Sequence, residues 1–307
     1  MALQQLGFVA LPAHVRAGGF DHAAVHEPTG HVYVAHTAND AVDVIDIAAL
    51  RYIRSIPGLP AVAGALLAGP EVLVTSNRGE NTVGVVTIGD VPRVDTIAVG
   101  MRPNGLAYDP RRRRLLVAHV GDPAVAGSCT VSIVDMQARK RLADIAVAGR
   151  TRWAVYDPIS DAFHVNIADP PQIAVVESGD PLRIRHVLPM PQAGPHGLDI
   201  DVAGRRLFCA CDAGVLLVVD ADTGTVLETH PIAGGPDVVF LNARLGRLYV
   251  AIGEPGAIEV FDIAARRRHE IVGTEVGAHT LAFDAARNLV CAFLPASHRV
   301  AVYEDRA

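Results

Sequence analysis

The sequence predicts an all-β fold, in which the 307 residues form a single seven-bladed β-propeller. Three observations lead to this prediction: a residue pattern that recurs seven times, four strand-like runs within each repeat, and a spare strand-like run near the N-terminus. A repeat of about 40 residues that holds four short strands has the size of one propeller blade.

The recurring pattern consists of two apolar runs that are separated by a few polar residues. In the first copy, Tyr33-Val34-Ala35-His36 is followed by a run that extends from Val42 to Asp46. The last residue of the first run falls at positions 36, 77, 119, 166, 211, 252 and 293, in steps of 41, 42, 47, 45, 41 and 41 residues. The repeats therefore fill the chain from end to end.

Each repeat predicts four strands separated by turns. A turn rich in Gly and Pro opens the repeat, most clearly from Gly100 to Gly105, and the first strand follows it. The two runs of the recurring pattern supply the second and third strands, and a run such as Arg93 to Val99 supplies the fourth. Turn residues such as Asp109-Pro110 lie between the runs,. No stretch of 10–15 residues has the periodicity of an amphipathic helix.

Blade seven lacks a fourth strand at the C-terminal end, because its third strand ends near Tyr303 and Glu304. The apolar run at about 5–11 precedes the first repeat and has no other place in the pattern. We therefore expect this N-terminal strand to complete blade seven and close the ring, which removes an exposed sheet edge. The expected domain organisation is a single domain over residues 1–307.

Composition and charge exclude several classes of function. The net charge of -6, from 27 basic and 33 acidic residues, argues against a nucleic-acid partner,. The longest uncharged stretch, residues 55–70, is shorter than a membrane-spanning helix of about 20 residues, so no membrane partner is expected,. The four cysteines form no C-x-x-C pair, and the N-terminus lacks the pattern of a signal peptide, which together indicate a cytoplasmic location,.

The recurring pattern resembles the YVTN-repeat β-propeller family over essentially the whole chain. The resemblance rests on Tyr33-Val34-Ala35-His36 with Val42 to Asp46, and on the equivalent residues of blades two and three. It implies a seven-bladed propeller and no particular function. The turn at 194–197, Gly-Pro-His-Gly, is weakly similar to the repeats of streptogramin (virginiamycin B) lyases, which are seven-bladed propellers with histidines at the channel mouth. The Trp-Phe-Thr-Glu repeat of those lyases is absent.

Polar residues recur just before the innermost strands, where seven blades can direct side chains to one mouth of the channel. In chain order these positions are His22, Ala63, Asn104, Arg152, His196, Asp237 and His279. The second strand of each blade returns to the same mouth. In blades one to seven, this second strand is expected to end at His36, Asn77, His119, Asn166, Cys211, Ile252 and Phe293, respectively.

Three imidazoles that converge with a carboxylate predict a site for a divalent metal ion, which could be Zn, Cu, Fe, Ni, Mn or Mg. The predicted ligands are His22, His196, His279 and Asp237. If the protein is an enzyme, His196, His279 and Arg152 are the predicted catalytic residues, with Arg152 holding a carboxylate or phosphate,. The predicted substrate-binding residues are Trp153, Asn104 and His119.

Three interpretations of this mouth stay open, one of which is a redox role with copper bound by the histidines. The other two differ in whether the mouth cleaves or only binds its ligand. In one, a metal-dependent lyase or hydrolase cleaves a C–O bond of a small-molecule ester or lactone. In the other, a non-catalytic propeller binds a protein, a peptide or a small ligand, and the polar residues line a wet channel. For His36 and His119 a structural hydrogen-bonding role competes with ligation, and Cys211 fits a buried apolar position better than a ligand.

Overall fold

The computed structural model describes residues 2–306 and contains seven antiparallel sheets of four strands each. In six sheets the four strands follow one another along the chain, so each sheet is one blade built from a continuous segment. The seventh sheet has the order β26-β27-β28-β1, counted outward from the channel. The predicted all-β propeller with seven blades is therefore confirmed.

Two of the four strand positions lie on the channel side of each blade. The innermost strands are β2 (Phe20–His26), β6 (Val62–Leu67), β10 (Pro103–Asp109), β14 (Thr151–Asp157), β18 (Pro195–Asp201), β22 (Pro236–Asn242) and β26 (Leu281–Asp284). The second strands are β3 (His31–His36), β7 (Val72–Asn77), β11 (Arg114–His119), β15 (Ala162–Ile167), β19 (Arg206–Cys211), β23 (Arg247–Ile252) and β27 (Leu289–Leu294).

The other two positions complete each blade toward solvent. The third strands are β4 (Ala41–Asp46), β8 (Thr82–Thr87), β12 (Thr130–Asp135), β16 (Gln172–Glu177), β20 (Val215–Asp220), β24 (Ala257–Asp262) and β28 (Arg299–Asp305). The outer strands are β5 (Arg51–Pro57), β9 (Val94–Ala98), β13 (Lys140–Ala146), β17 (Ile184–Pro189), β21 (Val226–Pro231), β25 (Arg267–Gly273) and β1 (Leu3–Ala10).

Helical structure in the described residues is limited to one 3-10 turn, Thr37–Asn39. A search of residues 2–306 finds no helix with the length and apolar character that crossing a membrane requires.

Ring closure follows the predicted arrangement. The N-terminal strand β1 pairs antiparallel with β28, and Val9 lies opposite Val300. The strand runs from Leu3 to Ala10, slightly earlier than the predicted 5–11, and a register shift separates Gln5 from Gly7. β1 therefore occupies the outer edge of blade seven, where an unpaired edge would otherwise be exposed.

The hydrophobic core lies between neighbouring blades, where two sheets pack face to face. Leu116 and Ala118 of blade three, for example, pack with Phe163 and Val165 of blade four. Second and third strands are buried on both faces, which explains their continuous apolar runs. Outer strands such as β13 alternate between exposed and half-buried residues because only one of their faces is covered,.

Hydrogen bonds from side chains connect successive blades near the channel mouth. The Thr37 hydroxyl donates to the carbonyl oxygen of Val62 at 2.6 Å, and the Ser76 hydroxyl donates to that of Asn104 at 2.8 Å. The Thr280 hydroxyl donates to the carbonyl oxygen of Phe20 at 3.2 Å, which links blade seven to blade one. These bonds fix the starts of the inner strands relative to one another.

Ion pairs connect some blades at the opposite face of the ring. Arg205, at the start of blade five's second strand, donates to both carboxylate oxygens of Asp157 in blade four, at 3.0 and 2.7 Å. The Asp157 side chain is fully buried. Burial opposes its ionisation, but the hydrogen bonds from Arg205 lower its pKa to about 2.

This inter-blade ion pair makes stability depend on pH. The folded-state pKa of Asp157 lies below its unfolded value, so its contribution is complete above about pH 4 and is lost as the pH falls toward 2,. We expect the free energy of unfolding, measured by chemical denaturation, to lose about 2 kcal/mol from this group over that range. Asp157→Asn should remove this part of the pH dependence. Asp222→Asn, which alters an exposed partner of Arg205, should retain it, and equal pH profiles for the two variants would contradict the assignment.

Candidate functional site

The inner strands begin together at one mouth of the channel, but the alignment of blade one differs from the prediction by one residue. Phe20 pairs with His36 as Pro103 pairs with His119, so Asp21 is equivalent to Asn104. His22 takes the next position, which is glycine in blade three. The second strands of blades four and seven likewise end one residue later than predicted, at Ile167 and Leu294. His22 still lies at the mouth, with Asp21 as a neighbour that the prediction missed.

Glycine at this next position allows adjacent inner strands to come close together. A Cβ atom on Gly105 would lie 2.3 Å from the carbonyl oxygen of Arg152, and one on Gly197 would lie 2.2 Å from that of Asp237. The start of each of these strands therefore contacts the mouth residue of the following blade directly. This close packing brings the side chains of the mouth residues within reach of one another.

Asp21, His22 and Asp237 form the centre of the site. One potential ligand atom from each lies within 4.8 Å of the other two, and no other such group of three is found among residues 2–306. The Nε2 atom of His22 is 3.3 Å from an oxygen of Asp21. His22 is buried, and burial lowers its pKa, so the ring is neutral at pH 7. Two carboxylates and a neutral imidazole fit a divalent cation.

His196 lies beside this group and is surrounded by charged residues. Its Nδ1 atom donates to Asp212 at 2.8 Å, and its Nε2 atom is 3.2 Å from an oxygen of Asp237. Burial disfavours the charged ring, but the attraction of Asp237 and Asp212 raises the pKa of His196 to about 9. Burial likewise opposes ionisation of Asp237, yet His196 lowers the pKa of that carboxyl well below its usual range.

These contacts change the role predicted for His196. A charged imidazole has no lone pair to give a cation, so His196 does not fit the predicted position of a metal ligand at neutral pH. Its arrangement suits a proton donor or an anion-binding group. Arg152 approaches the same ring, with its Nη1 atom 3.1 Å from Nε2 of His196 and its Nη2 atom 3.3 Å from Asp212.

His279 stands on the other side of Asp237, at the blade-seven end of the site. Its Nε2 atom lies 3.2 Å from the carbonyl oxygen of Phe20, which places the ring proton on that nitrogen,. The Nδ1 atom then has a free lone pair and lies 3.9 Å from an oxygen of Asp237. The structure thus brings His279 next to the central group without making it a member.

Four arginines surround the mouth. Arg78 lies 3.3 Å from Asp21 and also donates to the side-chain oxygen of Asn104. Burial, followed by the charges of Arg152, Arg78 and Arg102, lowers the pKa of Arg150, which shows that the four guanidinium groups share one region. Within residues 2–306, Arg102 and Arg150 form no ion pair with a carboxylate, so positive charge remains available there.

An apolar cavity extends along the channel from the central group. It encloses about 240 Å³ and is lined by His22, Trp153, Phe240 and Phe283, with Glu27 as an acidic residue in its wall. The ring of Trp153 lies 4.1 Å from that of His22, measured between centroids. Trp153, one of the predicted substrate-binding residues, therefore lines this cavity beside a residue of the central group.

Two of the predicted substrate-binding residues do not face free space at the mouth. Asn104 is 7% exposed and its side-chain oxygen is engaged by Arg78. His119 is fully buried, its Nδ1 atom lies 2.8 Å from the Thr130 hydroxyl, and burial lowers its pKa to about 4. His119 therefore makes the kind of structural hydrogen bond that the sequence left open as the alternative to its predicted role.

The prediction also missed Arg78 and Asp212. Each follows directly after the end of a second strand, Asn77 and Cys211 respectively, and so both occupy the same position in their blades. Both side chains reach the mouth, where Arg78 contacts Asn104 and Asp212 contacts His196. Reading the residue after each second strand, in addition to its last residue, finds both side chains from sequence alone.

Fold and site define a seven-bladed β-propeller with a charged mouth that contains carboxylates, imidazoles and guanidinium groups. No protein-family model matches the chain, and a search of curated proteins gives no match. Among solved structures, the chain is similar to one described as Kuenenia stuttgartiensis hydrazine synthase, with a TM-score of 0.80 and 14% sequence identity. The alignment covers 94% of this chain and 97% of the other. At this identity the similarity shows the fold alone.

The requirement for glycine at position 197, next to the backbone of Asp237, can be tested by substitution. We expect Gly197→Ala to push the start of blade six away, because the new Cβ would meet the carbonyl oxygen of Asp237 at 2.2 Å. The expected loss in the free energy of unfolding is about 1–3 kcal/mol. Gly89→Ala is the matched control, since its Cβ would have nothing within 4 Å. Equal stabilities of the two variants in denaturant titrations would contradict this account.

Proposed function

We propose that the mouth of this propeller binds a divalent metal ion together with a small anionic molecule and cleaves a C–O bond in that molecule, as a lyase or a lactonase or esterase does. The observation that supports the proposal most directly is the group formed by Asp21, His22 and Asp237, whose ligand atoms lie within 4.8 Å of one another. The remaining support comes from the charged residues that surround this group.

The metal-binding part of the proposal depends on the chemistry of the three side chains. One imidazole and two carboxylates favour Zn, Mn, Fe, Co or Ni over Mg, which prefers oxygen ligands alone. His279 is the residue placed to join them, through Nδ1. A bound cation would polarise a carbonyl oxygen of the substrate.

The arginines support an anionic ligand. Arg102 and Arg150 lack a carboxylate partner among the described residues, and both share the region of Arg152 and Arg78. A carboxylate or phosphate group can accept two parallel hydrogen bonds from one guanidinium group, which fixes its orientation. The aromatic cavity beside Trp153 would hold an apolar part of the same molecule.

His196 supports the cleavage step. With its pKa raised to about 9, the ring is protonated at neutral pH and can act as a general acid,. In the hydrolytic form of the proposed reaction, water adds to the acyl carbon and releases a proton to solvent, the acyl C–O bond breaks, and the Nε2 proton of His196 passes to the leaving oxygen. Asp212 holds the ring through Nδ1. Arg152 would orient the anionic group of the substrate beside it.

A non-catalytic propeller that binds a protein, a peptide or a small ligand at its mouth is the alternative. It is favoured by the fact that Asp212 already accepts hydrogen bonds from both His196 and Arg152. A cytoplasmic location and membership of the YVTN-repeat family also belong to the proposal. The free state of all four cysteines supports the location, and the repeat spacing supports the family,.

Trp153, the only tryptophan, provides a direct measure of metal binding because its ring contacts His22. We expect Co²⁺, Ni²⁺ or Mn²⁺ added to chelator-treated protein to change Trp153 fluorescence in a saturable way. Asp237→Asn should weaken binding by about a hundredfold, since it removes a proposed ligand. Asp222→Asn, an exposed carboxylate far from the mouth, should bind as the wild type does. No fluorescence change with any of the three ions would contradict a metal site here.

The cleavage step is tested separately with panels of carboxylate-bearing esters and lactones. We expect His196→Gln to keep the metal affinity and to lose about 10²–10⁴-fold in turnover, because it removes the proton donor. His230→Gln, a histidine of the outer strand β21, serves as the control and should keep full turnover. A wild-type protein that binds the ion but turns over no member of the panels would support the non-catalytic alternative.

A further inference from the structure

Three histidines that play no part in the mouth site meet where the ring closes. His14 lies in the segment between β1 and β2, His36 ends the second strand of blade one, and His298 lies in the turn before β28 of blade seven. The ring centroids of His14 and His36 are 5.0 Å apart, and those of His14 and His298 are 4.3 Å apart. We refer to these three residues as the seam histidines.

His36 has the hydrogen bonding of a metal-ligating histidine. It is fully buried, and its Nδ1 atom donates to an oxygen of Asp43 at 2.7 Å. The other oxygen of Asp43 accepts a hydrogen bond from the Ser55 hydroxyl at 2.5 Å, which holds the carboxylate in place. Because the ring proton lies on Nδ1, the Nε2 atom has a free lone pair. A carboxylate that fixes the tautomer in this way is the usual partner of a histidine that binds metal.

Each of the seam histidines has a buried ring nitrogen without a hydrogen-bond partner. These atoms are Nε2 of His14, Nε2 of His36 and Nδ1 of His298. A buried polar atom without a partner is unfavourable. Three imidazoles, each with a buried ring nitrogen that lacks a partner, therefore lie side by side.

We propose that the seam histidines bind a single transition-metal ion of the class that imidazole prefers, Zn²⁺, Ni²⁺ or Cu²⁺. Two imidazoles bound to one such ion, with metal–nitrogen distances near 2.0–2.1 Å, have ring centres about 5 Å apart, close to the separations observed here,. The three nitrogens are not yet within 4.8 Å of one another. Binding thus requires the rings of His14 and His298 to turn toward His36, which Asp43 holds fixed.

The proposed ion would join three parts of the chain across the closure of the ring. The segment that carries His14 already contacts both blades: the amide of Leu11 donates to the carbonyl of His298 at 2.8 Å, and the amide of Val15 donates to Asn39 at 3.0 Å. An ion coordinated by His14, His36 and His298 would strengthen this connection between the two blades. Since such an ion binds the folded state alone, it would raise the melting temperature.

The test separates this site from the proposed mouth site by using Asp237→Asn as the background variant. We expect the chelator-treated background protein to take up about one equivalent of Zn²⁺ per chain and to melt several degrees higher with Zn²⁺ than without it. Adding His14→Gln, or separately His298→Gln, should abolish both effects. His269→Gln, an exposed histidine of β25, is the matched control and should leave both unchanged.

Uptake is measured by mass spectrometry after dialysis, folding by circular dichroism, and melting by calorimetry. If the background variant folds poorly, wild-type protein is used instead, and His14→Gln should remove one equivalent of Zn²⁺ without altering the response of Trp153 fluorescence. Zinc uptake and zinc-induced stabilisation that survive both His14→Gln and His298→Gln would overturn the proposal. So would a folded background variant that takes up no Zn²⁺, Ni²⁺ or Cu²⁺.

Discussion

The close packing of the inner strands around one axis is the constraint on which the site depends. Where glycine stands at the second mouth position, as at Gly105 and Gly197, a strand contacts the carbonyl of the following blade without an intervening side chain. Asp21 and Asp237, which belong to blades one and six, are near neighbours at the mouth although more than 200 residues separate them. A helix bundle or an open sheet would spread the same residues over a surface.

This packing also determines the protonation states at the mouth. Carboxylates held this close together repel one another, and the imidazole of His196 and the guanidinium groups counter that repulsion. His22 and the adjacent His196 respond differently to these surroundings. His22 is neutral because burial dominates, whereas His196 is charged because two carboxylates contact its ring. A neutral histidine can serve as a metal ligand, while a protonated histidine next to it can serve as a proton donor.

The fold could be predicted from sequence because each blade repeats the same strand pattern, and the spare N-terminal run had a single place to go. The details of the site were harder to predict. A one-residue change in alignment moves a side chain to the other face of a strand. Blade one has Phe20 where blade three has Pro103, so its turn offered no marker of the register. The charge of His196 depends on Asp237 and also on Asp212, which lies one residue beyond the strand ends that the prediction compared.

The pairing of β1 with β28 has a consequence for how the chain folds. Every other strand pair joins segments that are close in sequence, but Leu3 lies opposite Asp305, about 300 residues away. Closing a loop of that length costs about 3 kcal/mol more in chain entropy than closing a ten-residue hairpin. Blades can therefore form one after another along the chain, while the last contact must wait for both ends to meet. Connectivity thus sets the order of folding. Contacts within each blade form first, and the pairing of β1 with β28 that closes the ring is the final step.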